Sequence, residues 1–159
     1  MTPPQAERAP AQETLTTGQL ARLSELVNTA ELEQAKLAQA RSKSPAIKKF
    51  AAMMLEHHGK ALREQQALVK KLDVTPADSS VAASLKADAE KTLDTLKKAD
   101  AASFDAAYAK SQIDGHQQVL DVLDKYAPAT PTPELADRLS KARAFVAQHL
   151  QAAQALASK

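Results

Sequence analysis

The chain has 159 residues, enough for one domain with a sizeable core, and a formal net charge of +2. It contains no cysteine and no tryptophan, only three glycines and two tyrosines, and 3% aromatic residues. Disulfides, thiolate chemistry and cysteine-rich zinc sites are therefore excluded. The near-balanced charge, with basic residues spread rather than clustered, gives no support for nucleic-acid binding.

Abundant Ala, Leu, Lys and Gln with few strand formers predict an all-α protein. No apolar run approaches the roughly 20 residues of a membrane span. Residues 1–14 form a Pro-rich polar leader, expected to be disordered, and a single domain is expected over 15–158. The first helix is predicted from Thr16–Thr17 to about Arg41, with a stripe of Leu20, Leu23, Val27, Ala30/Glu31, Gln34 and Leu37/Ala38. Ser42-Lys43-Ser44-Pro45 breaks it, with Ser44 as N-cap and Pro45 opening the second helix. That helix runs to about Leu72 on a seam of Ile47, Ala51, Met54, His58, Ala61, Gln65, Leu68 and Leu72, at alternating steps of four and three.

After the break at 73–78 comes a shorter amphipathic helix, about Ser79 to Lys98, whose Lys/Asp alternation reads as a solvent-facing surface. The next helix begins near 101–103, with Asp100 a candidate cap, and ends near Tyr126. Its stripe is Ala109, Gln112, His116, Val119, Leu123 and Tyr126. A proline-rich connector over 127–133 leads to the last helix, which Thr132 can cap and Pro133 can open. Its seam is Leu135, Leu139, Ala142, Val146, His149, Ala153 and Leu156. Four long helices joined by such breaks imply an antiparallel four-helix bundle with one additional short helix between the second and third.

Three histidines, His58, His116 and His149, fall on the inward stripes of three different helices, and Glu31 sits beside the stripe of the fourth. Along helices rising about 1.5 Å per residue, Glu31 lies roughly 18 Å and His58 roughly 21 Å below the turn that joins their helices. His58 and His116 should be level by the same count, whereas His149 is about six residues, roughly 9 Å, farther from its connector than His116. Either that connector climbs above the bundle end, or His149 belongs to a separate layer with Tyr108 and Gln112. Buried polar groups on one level must satisfy each other, water or a cation, because each left unpaired costs on the order of 1–3 kcal/mol. Neutral imidazole suits zinc, copper, iron and nickel, and a thioether nearby favours Cu(I). Candidate metal ligands are thus Glu31, His58 and His116, with His57 and His149 as completions and Met54, Tyr108 and Gln112 in support. Met53 and Met54 also fit as gap-filling core residues, and the same histidines could instead form a metal-free hydrogen-bond network.

The blocks Asn28-x-Ala30-Glu31-Leu32-Glu33, Met54-x-x-His57-His58-x-x-Ala61, Phe104-Asp105-x-x-Tyr108-x-x-x-Gln112-Ile113-x-x-His116 and His149-Leu150 resemble a bacterial ferritin-like family catalogued as a domain of unknown function. Its members are often labelled predicted outer-membrane or periplasmic proteins. The family pattern has Asp-His where this chain has His57-His58, and again at Gly115-His116, with Asp114 displaced by one. The Met-x-x-His-His element is also similar to a sister ferritin-like family linked to copper handling. The resemblance implies a ferritin-like fold and export to the periplasm. It does not bring the full di-iron pattern of two Glu-x-x-His motifs plus two further glutamates, since Leu55, Ile113 and Val146 stand three residues before the inward histidines. With no nucleophile–base pair, no phosphate-binding glycine loop and no inward pair of carboxylates, an enzyme is not expected. The reading is a periplasmic bundle that binds a single transition-metal ion, zinc or copper.

Overall fold

The computed structural model describes residues 14–130 and 132–158. Among them the chain forms five α-helices and no strand: α1 (Thr17–Arg41), α2 (Pro45–Lys71), α3 (Ser80–Lys98), α4 (Phe104–Tyr126) and α5 (Pro133–Ala157). All but Thr14 of the Pro-rich leader lies outside the described residues.

The helix starts follow from local hydrogen bonding. Thr16 Oγ1 accepts from the Gln19 amide at 3.1 Å while Gln19 Oε1 accepts from the Thr16 amide at 3.0 Å, a reciprocal capping box. Ser44 and Ser79 cap α2 and α3 by accepting from the Ile47 and Ala82 amides. The other two starts differ from expectation. Ser103, not Asp100, immediately precedes α4, and its side chain makes no cap bond. Asp100 instead organises the preceding turn, its Oδ1 accepting from the Ser103 amide and hydroxyl at 2.8 and 2.7 Å. Thr132 makes no cap bond either, because its hydroxyl lies 3.0 Å from the Thr17 hydroxyl. That contact puts the starts of α1 and α5 at the same end of the molecule.

Contacts run from α1 to α2, from α2 to α5, from α5 to α4 and from α4 back to α1, closing the four long helices into a ring. α3 packs on α1 and α4. The Arg41 guanidinium fastens it there: it donates to the carbonyls of Leu96 at 2.8 Å and Ala99 at 2.6 Å and lies over the Phe104 ring. Cations are favoured at a helix C-terminus, where carbonyls lack intrahelical partners. Near the start of α1 the backbone of the 74–77 segment comes close to Gly18, where an added Cβ would meet the Thr75 carbonyl at 2.5 Å. Only glycine permits that approach.

Two large apolar clusters fill most of the interior, beside a smaller one of Leu120, Val146 and Leu150. One gathers Ala35, Phe50, Met54, Phe104, Tyr108 and Ala153. The other gathers Leu20, Leu23, Leu85, Tyr126, Leu135 and Leu139. Between those two groups each long helix carries inward polar residues, Asn28, Glu31 and Gln34 on α1, His58 and Gln65 on α2, Gln112 and His116 on α4, and His149 on α5, interleaved on α4 and α5 with the apolar Leu120, Val146 and Leu150. The polar layer is thus sealed above and below by hydrocarbon.

Candidate metal centre

One ring nitrogen from each of His58, His116 and His149 lies within 4.8 Å of the other two. The ring centroids stand 6.0, 5.2 and 5.4 Å apart, a nearly equilateral arrangement drawn from α2, α4 and α5. All three residues are at most 5% exposed.

Each ring is oriented through its other nitrogen. His116 Nδ1 lies 2.8 Å from the Gln112 carbonyl, which can only accept, so Nδ1 carries the hydrogen and Nε2 a lone pair. His58 Nδ1 lies 2.8 Å from Asn28 Oδ1, and Asn28 Nδ2 donates to the Ser24 carbonyl at 2.9 Å. That second bond fixes the amide, so His58 also donates from Nδ1 and leaves Nε2 bare. His149 Nε2 pairs with His57 Nδ1 at 2.8 Å; with His149 as donor, its Nδ1 is the free acceptor. The three nitrogens left over, His58 Nε2, His116 Nε2 and His149 Nδ1, are buried and have no hydrogen-bond partner. With His149 as donor to His57 these are three lone pairs, which repel one another unless a positive centre stands between them. Imidazoles held by a hydrogen bond on the far nitrogen are the usual form of a metal-ligating histidine.

Burial, and then the neighbouring imidazoles, push His58 down from 6.5 to about 3. The same causes push His149 down from 6.5 to about 4. Both are therefore neutral at physiological pH, as ligation requires.

The other candidates fall around this triad. Glu31 is buried, with Oε1 3.9 Å from His116 Nδ1, the nitrogen that pairs with the Gln112 carbonyl. It lies outside the convergent set, and its Oε2 has no hydrogen-bond partner. His57 is half-buried, holds His149, and packs edge-on against Phe145 with ring centroids 5.6 Å apart. Met54 is fully buried in the apolar cluster with Phe50 and Tyr108. The Gln112 side chain donates to Gln34 Oε1 at 3.1 Å. Tyr108 is fully buried, and its hydroxyl has no partner. Burial, and next the Glu31 carboxylate, hold that hydroxyl well above the usual tyrosine range. Tyr108→Phe is therefore expected to leave stability unchanged or raise it by about 1 kcal/mol, measured by urea unfolding. A clear loss would mean that the hydroxyl is hydrogen-bonded in solution.

His149 is level with the other two because the chain climbs before it turns. Ala127–Ala129 form a 3-10 turn that begins in right-handed helical conformation directly after α4. At about 2 Å per residue it adds roughly 6 Å of the missing rise. Asn28 was not foreseen as a site residue. Its signal is an amide on the inward side of α1, three residues before Glu31, in a chain whose other buried positions there are mostly apolar.

A groove of about 680 Å³ between α1, α3 and α4 meets this constellation only through Glu31. A smaller cleft of about 330 Å³ between α2 and α5 has His57, His58 and His149 in its lining. The chemistry therefore faces the smaller opening.

No curated protein and no solved structure matches this chain. A family model does match, over residues 2–156, nearly the whole length. The chain belongs to the family described as Domain of unknown function (DUF4142).

Proposed function

We propose that this protein is a non-catalytic, ferritin-like antiparallel four-helix bundle of the periplasm that binds one transition-metal ion, zinc or copper. The donors are His58 Nε2, His116 Nε2 and His149 Nδ1. Asn28, the Gln112 carbonyl and His57 orient the three rings. Glu31 supplies negative charge beside His116 rather than a direct bond. The observation that carries this reading is the trio of buried, convergent nitrogens without hydrogen-bond partners. An all-nitrogen donor set suits zinc and copper better than calcium or magnesium. The ring of long helices supports the ferritin-like assignment, and periplasmic placement rests on the sequence resemblance.

A second reading, a metal-free hydrogen-bond network, draws on the His58–Asn28, His57–His149 and Gln34–Gln112 bonds. Returning zinc or copper to chelator-treated protein separates the two. Metal binding predicts one ion per chain by elemental analysis. With free metal at 1,000 times Kd it predicts about 4 kcal/mol of added stability, a rise in Tm of roughly 10 °C for a chain of this size. No retained metal and an unchanged Tm would leave the network reading.

A further inference from the structure

We propose that the centre, when it holds a divalent ion, takes a small monovalent anion as its fourth ligand, admitted through the cleft between α2 and α5. This rests on the metal reading above. The three donors are neutral imidazoles, and no Asp or Glu among the described residues joins their set. Among the described residues Glu31 is the one buried carboxylate, and it approaches His116 through Nδ1, at 3.9 Å. A dication with one carboxylate leaves a net single positive charge in a desolvated interior, where uncompensated charge is strongly disfavoured. One monoanion neutralises it. Three imidazoles also leave a tetrahedral ion one position short.

The cleft is suited to that ligand. Its lining includes Lys60, Arg138 and Lys141 against Glu64, and Lys141 also pairs with Asp137 at 2.8 Å, so three cations against two carboxylates leave the rim with a net single positive charge that attracts anions. Arg138 and Lys60 both lie near Glu64, at 3.0 and 3.8 Å. The buried Leu139 and Val146 and the half-buried Ala142 give the cleft apolar walls next to the histidines.

The test is an azide titration of the full chain loaded with one equivalent of Cu(II), with sodium perchlorate as the non-coordinating ionic-strength control. The expected result is a new azide-to-copper charge-transfer absorption that saturates at one azide per copper. Ala142→Phe, which narrows the cleft, should slow azide binding, followed by stopped-flow absorption, by about tenfold or more. Lys141→Glu, on the exposed rim, should slow it roughly threefold at low salt and less at high salt. Stoichiometric copper with no response to azide beyond the perchlorate control would overturn the anion proposal and leave the metal reading intact. Azide binding at the parental rate in both variants would overturn the assigned route. A chain that retains no copper, seen before any azide is added, would fail the metal reading itself and take this proposal with it.

Discussion

His58→Ala is expected to abolish tight metal binding while leaving the helical circular dichroism in place. His58 supplies one of three convergent nitrogens and reaches the site from α2, whose remaining seam is apolar except for Gln65, held by its bond to the Ala21 carbonyl, and stays packed. His57→Ala is the informative companion. His57 makes no direct approach to the convergent point but holds His149 through a 2.8 Å bond. Loss of such an orienting partner weakens metal affinity by roughly 10–100-fold, and loss of a donor should exceed that by a wide margin. Competition titration against a chromophoric chelator measures both. Equal losses in the two variants would mean that His57, rather than His58, faces the ion.

Acid should destabilise the metal-free protein before its carboxylates titrate. In the unfolded chain a histidine takes its proton near pH 6.5, whereas folded His58 stays neutral down to about 3 and His149 down to about 4. Between those limits the unfolded state binds more protons, so stability is complete above 6.5 and is lost as the pH falls through the window. At pH 4 the His58 contribution alone is about 3 kcal/mol, a large share of the 5–15 kcal/mol typical of a folded domain. Thermal melts of chelator-treated protein from pH 7 to 4 should show Tm falling steadily from about 6.5 downward. His58→Asn should remove much of that slope. A flat profile down to pH 5 in the parent chain would contradict the buried, neutral state of these rings. For metal-loaded protein, release of the ion should follow the same descent, since imidazole ligates only when neutral; retention at pH 4 would count against histidine ligation.

The helices were legible because their punctuation is strong: Thr16, Ser44-Pro45, Ser79 and Pro133 mark starts that the structure places within a residue or two. The inward histidines were legible from the same periodicity, since a polar residue on an otherwise apolar seam stands out. Three features were less accessible. The level of His149 depended on a three-residue 3-10 turn in a proline-rich connector, whose geometry no periodicity encodes. The nitrogen of His116 that Glu31 approaches depended on how α1 is rotated against α4, and the stripe through Val27 and Glu31 allowed either. The bond from Asn28 to His58 joins residues thirty positions apart through a choice of rotamers. Residue type and spacing identify the rings; only packing decides which nitrogen each presents.

The isolation of Tyr108 has a practical outcome. With no tryptophan in the chain and only two tyrosines, near-ultraviolet emission reports on very few positions. Tyr108 lies eight residues before His116 on one rigid rod, roughly 12 Å along its axis, and is wholly shielded from solvent quenchers. A paramagnetic ion arriving at the histidines would dim that fluorophore, whereas zinc, with its closed d shell, would leave it bright, so the native protein carries a label-free optical sensor of which ion it has taken up.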